Sequence, residues 1–288
     1  MEQLLLNGIS MGCIYGLVGL GFILIHEAVG VSNFAQGDFV MCGAYLGVTT
    51  ALILKLPLPL AVLVAVLATG IVGYLFHLIA YVPLRVRPPI TVLITTIGLG
   101  IAMRNAALVI WGPWPRAQPP FLGTQELHVA GLVLPSQSLL IIAVTLLVLL
   151  GQYLLFSGTR LGRMLRATAM DQEVARLMGI PVRRTIALTF VLSAVLAGVA
   201  GVMLVPVFLV SSEMGLAIIF KAWVGVVIGG FGSIPGAFLG GLAVGVLEIL
   251  SAAYISSAYK DAIVLLILML TLLFRPQGFF GEVVAEKI

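Results

Sequence analysis

Charge is what this sequence has least of. Only 9% of its 288 residues are Asp, Glu, Lys or Arg, whereas a soluble globular domain carries about 25%, so no water-facing surface can be assembled from it. Groups that do chemistry are scarce too. The three histidines, His26, His77 and His128, are scattered, and the two cysteines, Cys13 and Cys42, fall in or beside apolar runs. The histidine spacing offers no metal site, and for the cysteines packing is the expectation rather than a structural disulfide. No G-x-x-x-x-G-K-[ST] phosphate loop, H-E-x-x-H or G-x-S-x-G occurs, so nothing points to a catalytic residue or to an ATPase site of the chain's own. A net charge of +4, placed in loops, sets orientation at a membrane and implies no nucleic acid.

Apolar runs make up the rest. The chain is 61% hydrophobic with a mean hydropathy of +1.21. A bilayer core of about 30 Å needs about 20 apolar residues in a helix, and such runs lie near residues 4–25, 38–54, 58–80, 90–111, 138–156, 185–210, 222–250 and 258–274. They are continuous in Leu, Val, Ile, Ala and Gly, without the strict alternation of a membrane β-barrel. The expectation is an all-α integral membrane protein, a single polytopic bundle of about eight transmembrane helices over residues 1–288. Met1-Glu2-Gln3 lacks the basic start of a cleaved signal, so the first run should remain as a span. Arginines concentrate in two loops, at Arg85 and Arg87 and at Arg160, Arg163, Arg166, Arg176, Arg183 and Arg184, which the positive-inside rule makes cytoplasmic. Counting spans from these puts the loop with Asn33, Gln36 and Asp38 on the cytoplasmic side. The N-terminus and the Pro113–Pro135 loop, with Arg116, Glu126 and His128 as its ionisable groups, fall outside.

The long hydrophilic loop, about 158–184, has internal order. Arg163 to Met178 favours a helix of about four turns, stopped by Gly179-Ile180-Pro181. Met164, Ala167, Met170, Val174, Leu177 and Met178 recur at helical spacing, with Arg163, Arg166, Gln172, Glu173 and Arg176 mainly opposite. Such a helix either lies on lipid headgroups or inserts into a partner's groove. A second feature is Gly229-Gly230-Phe231-Gly232-Ser233-Ile234-Pro235-Gly236, which cannot continue a regular helix cheaply. It is either a broken helix lining a polar pathway or a tight loop between two helices. Small residues at Ser10, Gly12, Gly16 and Gly19, and at Ala194, Ala197, Gly198 and Gly201, read as faces for close helix packing. Among intramembrane charges, Lys221 and Glu248 suggest pairing or a pathway role and Lys260-Asp261 precedes the last span. Arg104 suggests snorkelling toward Trp111 and Trp114.

Gly8 to Leu46, Gly162 to Leu204, Phe220 to Glu248 and the Arg-Pro-Gln-Gly-Phe-Phe-Gly run from Arg275 together resemble the LivH-type permease subunits of bacterial branched-chain amino acid importers of the ATP-binding cassette class. The resemblance is collinear over nearly the whole chain. It implies a multi-pass permease of the bacterial inner membrane that binds no cofactor itself. Its implied partners are a LivM-like second permease, two LivG/LivF-like ATPase subunits that carry ATP and Mg, and an extracytoplasmic solute-binding protein that delivers an amino-acid-like substrate. The loop then becomes an ATPase-coupling segment, with Gly162, Arg163, Arg166, Ala167, Asp171, Ala175, Leu177 and Gly179 as its residues. Asn33, Gln36, Asp38, Gly229, Gly230, Gly232, Ser233, Pro235 and Gly236 become the pathway residues. Two departures stand out: Gln36 replaces the histidine usual in Asn-Phe-Ala-His-Gly-Glu, and Ile25-His26-Glu27 replaces Ile-Tyr-Gly. They open cargo such as amides, urea or aromatic carboxylates, and a secondary transporter driven by an ion gradient is a further alternative.

Overall fold

The computed structural model describes residues 2–85, 87–121, 123, 126–129 and 132–281; Met1 lies outside them, and of Glu126 and His128 only the backbone is described. In chain order the elements are α1 (Glu2–Val29), α2 (Gln36–Val48) with a π-helical extension Thr49–Ile53, α3 (Leu58–Phe76) with a π-helical extension His77–Tyr81, and α4 (Pro89–Trp111). A hairpin of β1 (Glu126–Val129) and β2 (Leu132–Pro135) follows, then α5 (Ser136–Gly158), α6 (Arg160–Met170), α7 (Gln172–Leu177) and α8 (Val182–Leu204). The chain continues as α9 (Met214–Gly229), α10 (Ile234–Tyr254) and α11 (Lys260–Phe274). The hairpin is antiparallel, with Glu126 opposite Pro135 and Val129 opposite Leu132, a short addition to the connection between α4 and α5 of an otherwise helical bundle.

Six described helices, α1, α3 with its extension, α4, α5, α8 and α10, are long and apolar enough to cross a membrane. The expected run at 222–250 is in fact two helices. Gly230 (φ +115) and Gly232 (φ +88) take conformations that a helix interior forbids, and Ser233 caps α10 by accepting from the Gly236 amide at 3.1 Å.

Burial separates the helices into two groups. α1 and α8 are buried on nearly every side, whereas α4 and α5 leave most of their surface free. In lipid no hydrophobic force draws apolar helices together, so close approach must come from small residues. Antiparallel α1 and α10 make the most extensive helix pairing: a Cβ on Gly12 would lie 2.6 Å from the Leu242 Cα, and one on Gly241 2.5 Å from the Gly16 amide nitrogen. α8 does the same on its other faces. Gly198 packs against Thr69 of α3 and against Gly43 of α2, and Gly201 against Val40 and Ala44. Both expected small-residue faces are packing surfaces.

The hydrophilic loop is two helices rather than one. Asp171 is extended (φ −159, ψ 115), and its Oδ1 accepts from the Glu173 and Val174 amides at 2.7 and 3.0 Å. A side chain that satisfies two free donors ends α6 and starts α7. Gly179 (φ +78) supplies the expected stop after α7. The Gln172 side chain donates from Nε2 to Ala28 O at 2.8 Å, fixing α7 to the last turn of α1. The same end of the bundle holds the α9–α10 turn, because Phe231 packs on His26. It also holds residues 278–281, whose Phe279 and Phe280 amides donate to Ile228 O and Gly229 O at 2.9 Å.

Candidate functional site

Helix α1 ends at Val29, and the chain turns back into the bundle before α2 begins at Gln36. The depth of that return is set by its neighbours. Gln36 lies beside Ser193, the central residue of α8, and Asp38 faces Gly100, the central residue of α4. Residues 30–35 are therefore an unwound stretch reaching mid-depth, where loop counting had placed a surface connection. Bare backbone there must be satisfied from within the protein. Gln36 Nε2 donates to Ser193 O at 3.2 Å. Ser193 Oγ sits 2.7 Å from both Gly21 O and Gln36 Oε1, with one proton to share between them. Asn33 Oδ1 accepts from the Ala35 amide at 3.1 Å, while its buried Nδ2 has no partner. Gly37 and Gly215 meet backbone to backbone, bringing the starts of α2 and α9 together.

At this point the bundle holds a charged pair. Arg104 Nε is 3.0 Å from Asp38 Oδ1, and the two side chains are 14% and 4% exposed, so Arg104 does not snorkel away. An arginine in an apolar setting is stabilised more by a carboxylate within reach than by stretching toward a distant interface. Glu213 lies 3.8 Å from Arg104 on the open side. The pair borders a cavity of 170 Å³ whose other walls are Phe34, Ile97, Leu216, Ile219, Phe220 and Trp223.

A second charged cluster lies across α9. Glu248 receives Lys221 at 2.5 Å, Lys260 at 2.9 Å and the Tyr15 hydroxyl at 2.6 Å, and Lys221 also reaches Asp261 at 3.1 Å. Two of the isolated charges of the sequence thus satisfy one another. Short α9, with Phe220 projecting between the two clusters, presents an apolar face with charge on either side. The Gly229–Gly236 stretch lies elsewhere, at the α9–α10 turn beside Glu27 and under Gly278 and Gly281.

The coupling loop has an inward and an outward side. Gly162, Leu165, Thr168 and Ala175 are buried, and Gly162 abuts the backbone of Leu155 and Phe156 so closely that no Cβ fits. Outward, Met170, Leu177 and Met178 are 89%, 87% and 77% exposed, with Arg163, Arg166 and Asp171 exposed alongside and Ala167 half-buried. Apolar residues that protrude so far from a helix pair beyond the apolar spans await a covering surface.

Against known proteins, residues 4–272 match the family described as branched-chain amino acid transport system / permease component. The chain belongs to this permease family. It is 36% identical to the high-affinity branched-chain amino acid transport system permease protein BraD of Pseudomonas aeruginosa, over 99% of this chain and 97% of that protein. It is 33% identical to LivH of Escherichia coli K12, with the same coverage. Among solved structures, PsaBC from Streptococcus pneumoniae in complex with Fab shares the fold, with a TM-score of 0.50, 18% identity and coverage of 97% of this chain and 93% of that one. The permease is a multi-pass membrane protein.

Sequence reading grouped Asn33, Gln36 and Asp38 as pathway residues and set Arg104 apart, and the permease fold joins Asp38 to Arg104. It missed Tyr15 as a partner of Glu248, and the apolar cavity walls from α4 and α9. Tyr15 carried no signal, because one tyrosine in an apolar span reads as packing. The Asp38–Arg104 pair did carry one: opposite charges in separate spans generally find each other.

Proposed function

We propose that this permease forms one half of the translocation pathway of an ATP-driven importer for branched-chain or chemically related amino acids. It works with a second permease, two cytoplasmic ATPases that hold ATP and Mg, and an external binding protein, in the inner membrane of a bacterium. The observation that carries the ATP-driven reading is the protruding Met170, Leu177 and Met178 on a loop tied to α1 and rigidly capped at Asp171. A transporter driven by an ion gradient has no use for such a knob, whereas ATPase closure needs a rigid element to push. Tied to Ala28, a displaced α7 carries the end of α1 with it, and α1 is the helix around which the bundle packs. The ATPases thereby bias the permease between outward and inward openings.

For the solute, the cavity beside Asp38 and Arg104 has the chemistry of an amino acid. The guanidinium can take a carboxylate in a fork, the Asp38 carboxylate can take an ammonium, and Ile97, Leu216 and Trp223 can cover a branched side chain. Urea would leave those apolar walls unused. The Lys221–Glu248 cluster is not required for this reading, since its charges already satisfy one another.

The test of coupling is ATPase activity of the assembled complex in nanodiscs, with and without loaded binding protein. Leu177→Asp places a charge on the docking knob, and Gly179→Trp forces a side chain onto a left-handed backbone. Each is expected to cut the stimulated rate by roughly thirtyfold, the factor given by about 2 kcal/mol lost at a docking hot spot. Assembled variants that respond like the unaltered complex would sink the coupling assignment.

A further inference from the structure

At the end of the bundle that carries the coupling loop, a cleft of 660 Å³ opens between the π-helical extension of α3, the start of α8 and α7. We infer that this cleft holds the phosphate of an anionic phospholipid. The inference stands independently of the cargo and of the pathway described above.

Charge makes the first argument. Arg85, Arg176 and Arg183 line the cleft from three separate elements against a single carboxylate, Glu173. None of the three arginines takes part in an ion pair among the described residues. Three guanidiniums brought together with one carboxylate among them keep an excess of positive charge, and an anion between them removes the repulsion. Helix α8 adds to the demand. It begins after Pro181 with no side-chain cap and no acidic residue in its first turn, and has Arg183 and Arg184 there instead. A helix start favours negative charge, so its natural complement is missing from the chain.

His77 makes the second. Its side chain is 5% exposed, lines the cleft, and has an Nδ1 with no hydrogen-bond partner. The ring is held between Tyr81, at 5.7 Å, and Phe190, at 5.3 Å. A buried polar atom without a partner is uncommon in folded proteins, and here it borders the basic cleft.

Shape selects lipid over a free phosphate. A second groove of 440 Å³ shares His77, Val82 and Arg183 with the cleft and runs along exposed Tyr74 and Leu78 of α3 and its extension and half-buried Leu188 of α8. A headgroup between the arginines would leave this groove for an acyl chain. Basic pockets between membrane helices on the cytoplasmic side take such headgroups. The occupant would bridge α3 to α7, which carries Arg176, and so brace the coupling loop next to its tie to Ala28, since Gln172 also lines the cleft.

The experiment is native mass spectrometry of the assembled complex released from nanodiscs of equal phosphatidylglycerol and phosphatidylcholine. One phosphatidylglycerol per copy of this chain should survive activation that strips the remaining lipid. In Arg176→Gln/Arg183→Gln its retention should fall by roughly thirtyfold, as expected for two surface arginines at about 1 kcal/mol each. His77→Phe keeps the ring stack and removes the nitrogens, and it should weaken retention in the same direction. This second variant decides the matter if the double variant does not assemble. Equal retention in the variants, or equal retention of phosphatidylcholine, overturns the site. Retention of inorganic phosphate in place of lipid overturns the lipid assignment. Retention by the permeases without their ATPases but not by the assembled complex also overturns it, since the arginines would then be an ATPase-docking surface.

Discussion

Gly245→Leu is expected to remove nearly all folded protein from the membrane. A Cβ at this position would fall on the backbone of Gly12, and backbone cannot rotate away as a side chain could. The two helices must separate, and with no hydrophobic force to recover the contact in lipid, the loss extends along the whole α1–α10 seam. Overpacking of a tight contact costs about 1–3 kcal/mol and occasionally more, against a total stability of about 5–15 kcal/mol. The seam also positions Tyr15 on Glu248, so its opening leaves a buried charge cluster short of one donor. Monodisperse protein recovered in detergent, and its thermal midpoint, provide the readout. Gly151→Leu is the matched control, because nothing lies within 4 Å of a Cβ there. If the two variants are recovered equally well, close packing is not what holds α1 to α10.

The second large effect concerns Asp38 and Arg104. Removing one member of a buried ion pair leaves the other uncompensated and costs about 3–5 kcal/mol, so Arg104→Gln alone should reduce transport by roughly a hundredfold or more. The single variant does not separate stability from solute binding. The double variant Asp38→Asn/Arg104→Gln does, because it removes both charges and keeps hydrogen-bonding groups of similar size. Stability should return in the double variant while uptake of radiolabelled amino acid in proteoliposomes stays lost. Recovery of uptake together with stability would show that the pair only holds α2 to α4.

Much of this architecture is legible in the sequence. Spans are visible because a bilayer imposes a minimum apolar length, and Gly179 marks the end of α7 because few other residues adopt its backbone conformation. What stayed hidden has physical causes. The return of Gly30–Ala35 to mid-depth is masked in hydropathy, since Ser32, Asn33, Gln36 and Asp38 read as a surface loop although the bundle buries Asn33, Gln36 and Asp38. The partner of Arg104 lies 66 positions away, and no local pattern reports a pairing between spans. Asp171 is compatible with a helix interior and also the preferred start of a new helix, and only the folded backbone shows which role it takes. The run from 222 to 250 looked like one broken span because both helices are apolar up to the glycines that separate them.

The pairing of α1 with α10 also dictates an order of events during synthesis. α1 is made well before α10, with roughly 200 residues between them. At about 5–20 residues per second, α1 waits on the order of ten to forty seconds in the membrane before its partner emerges. Its glycine stripe tolerates that interval, because bare apolar backbone already hydrogen-bonded within a helix loses little in lipid. A chain released before Ile234 therefore inserts but never closes, and its unpaired first helix remains as a mark by which quality control can tell an unfinished permease from a complete one.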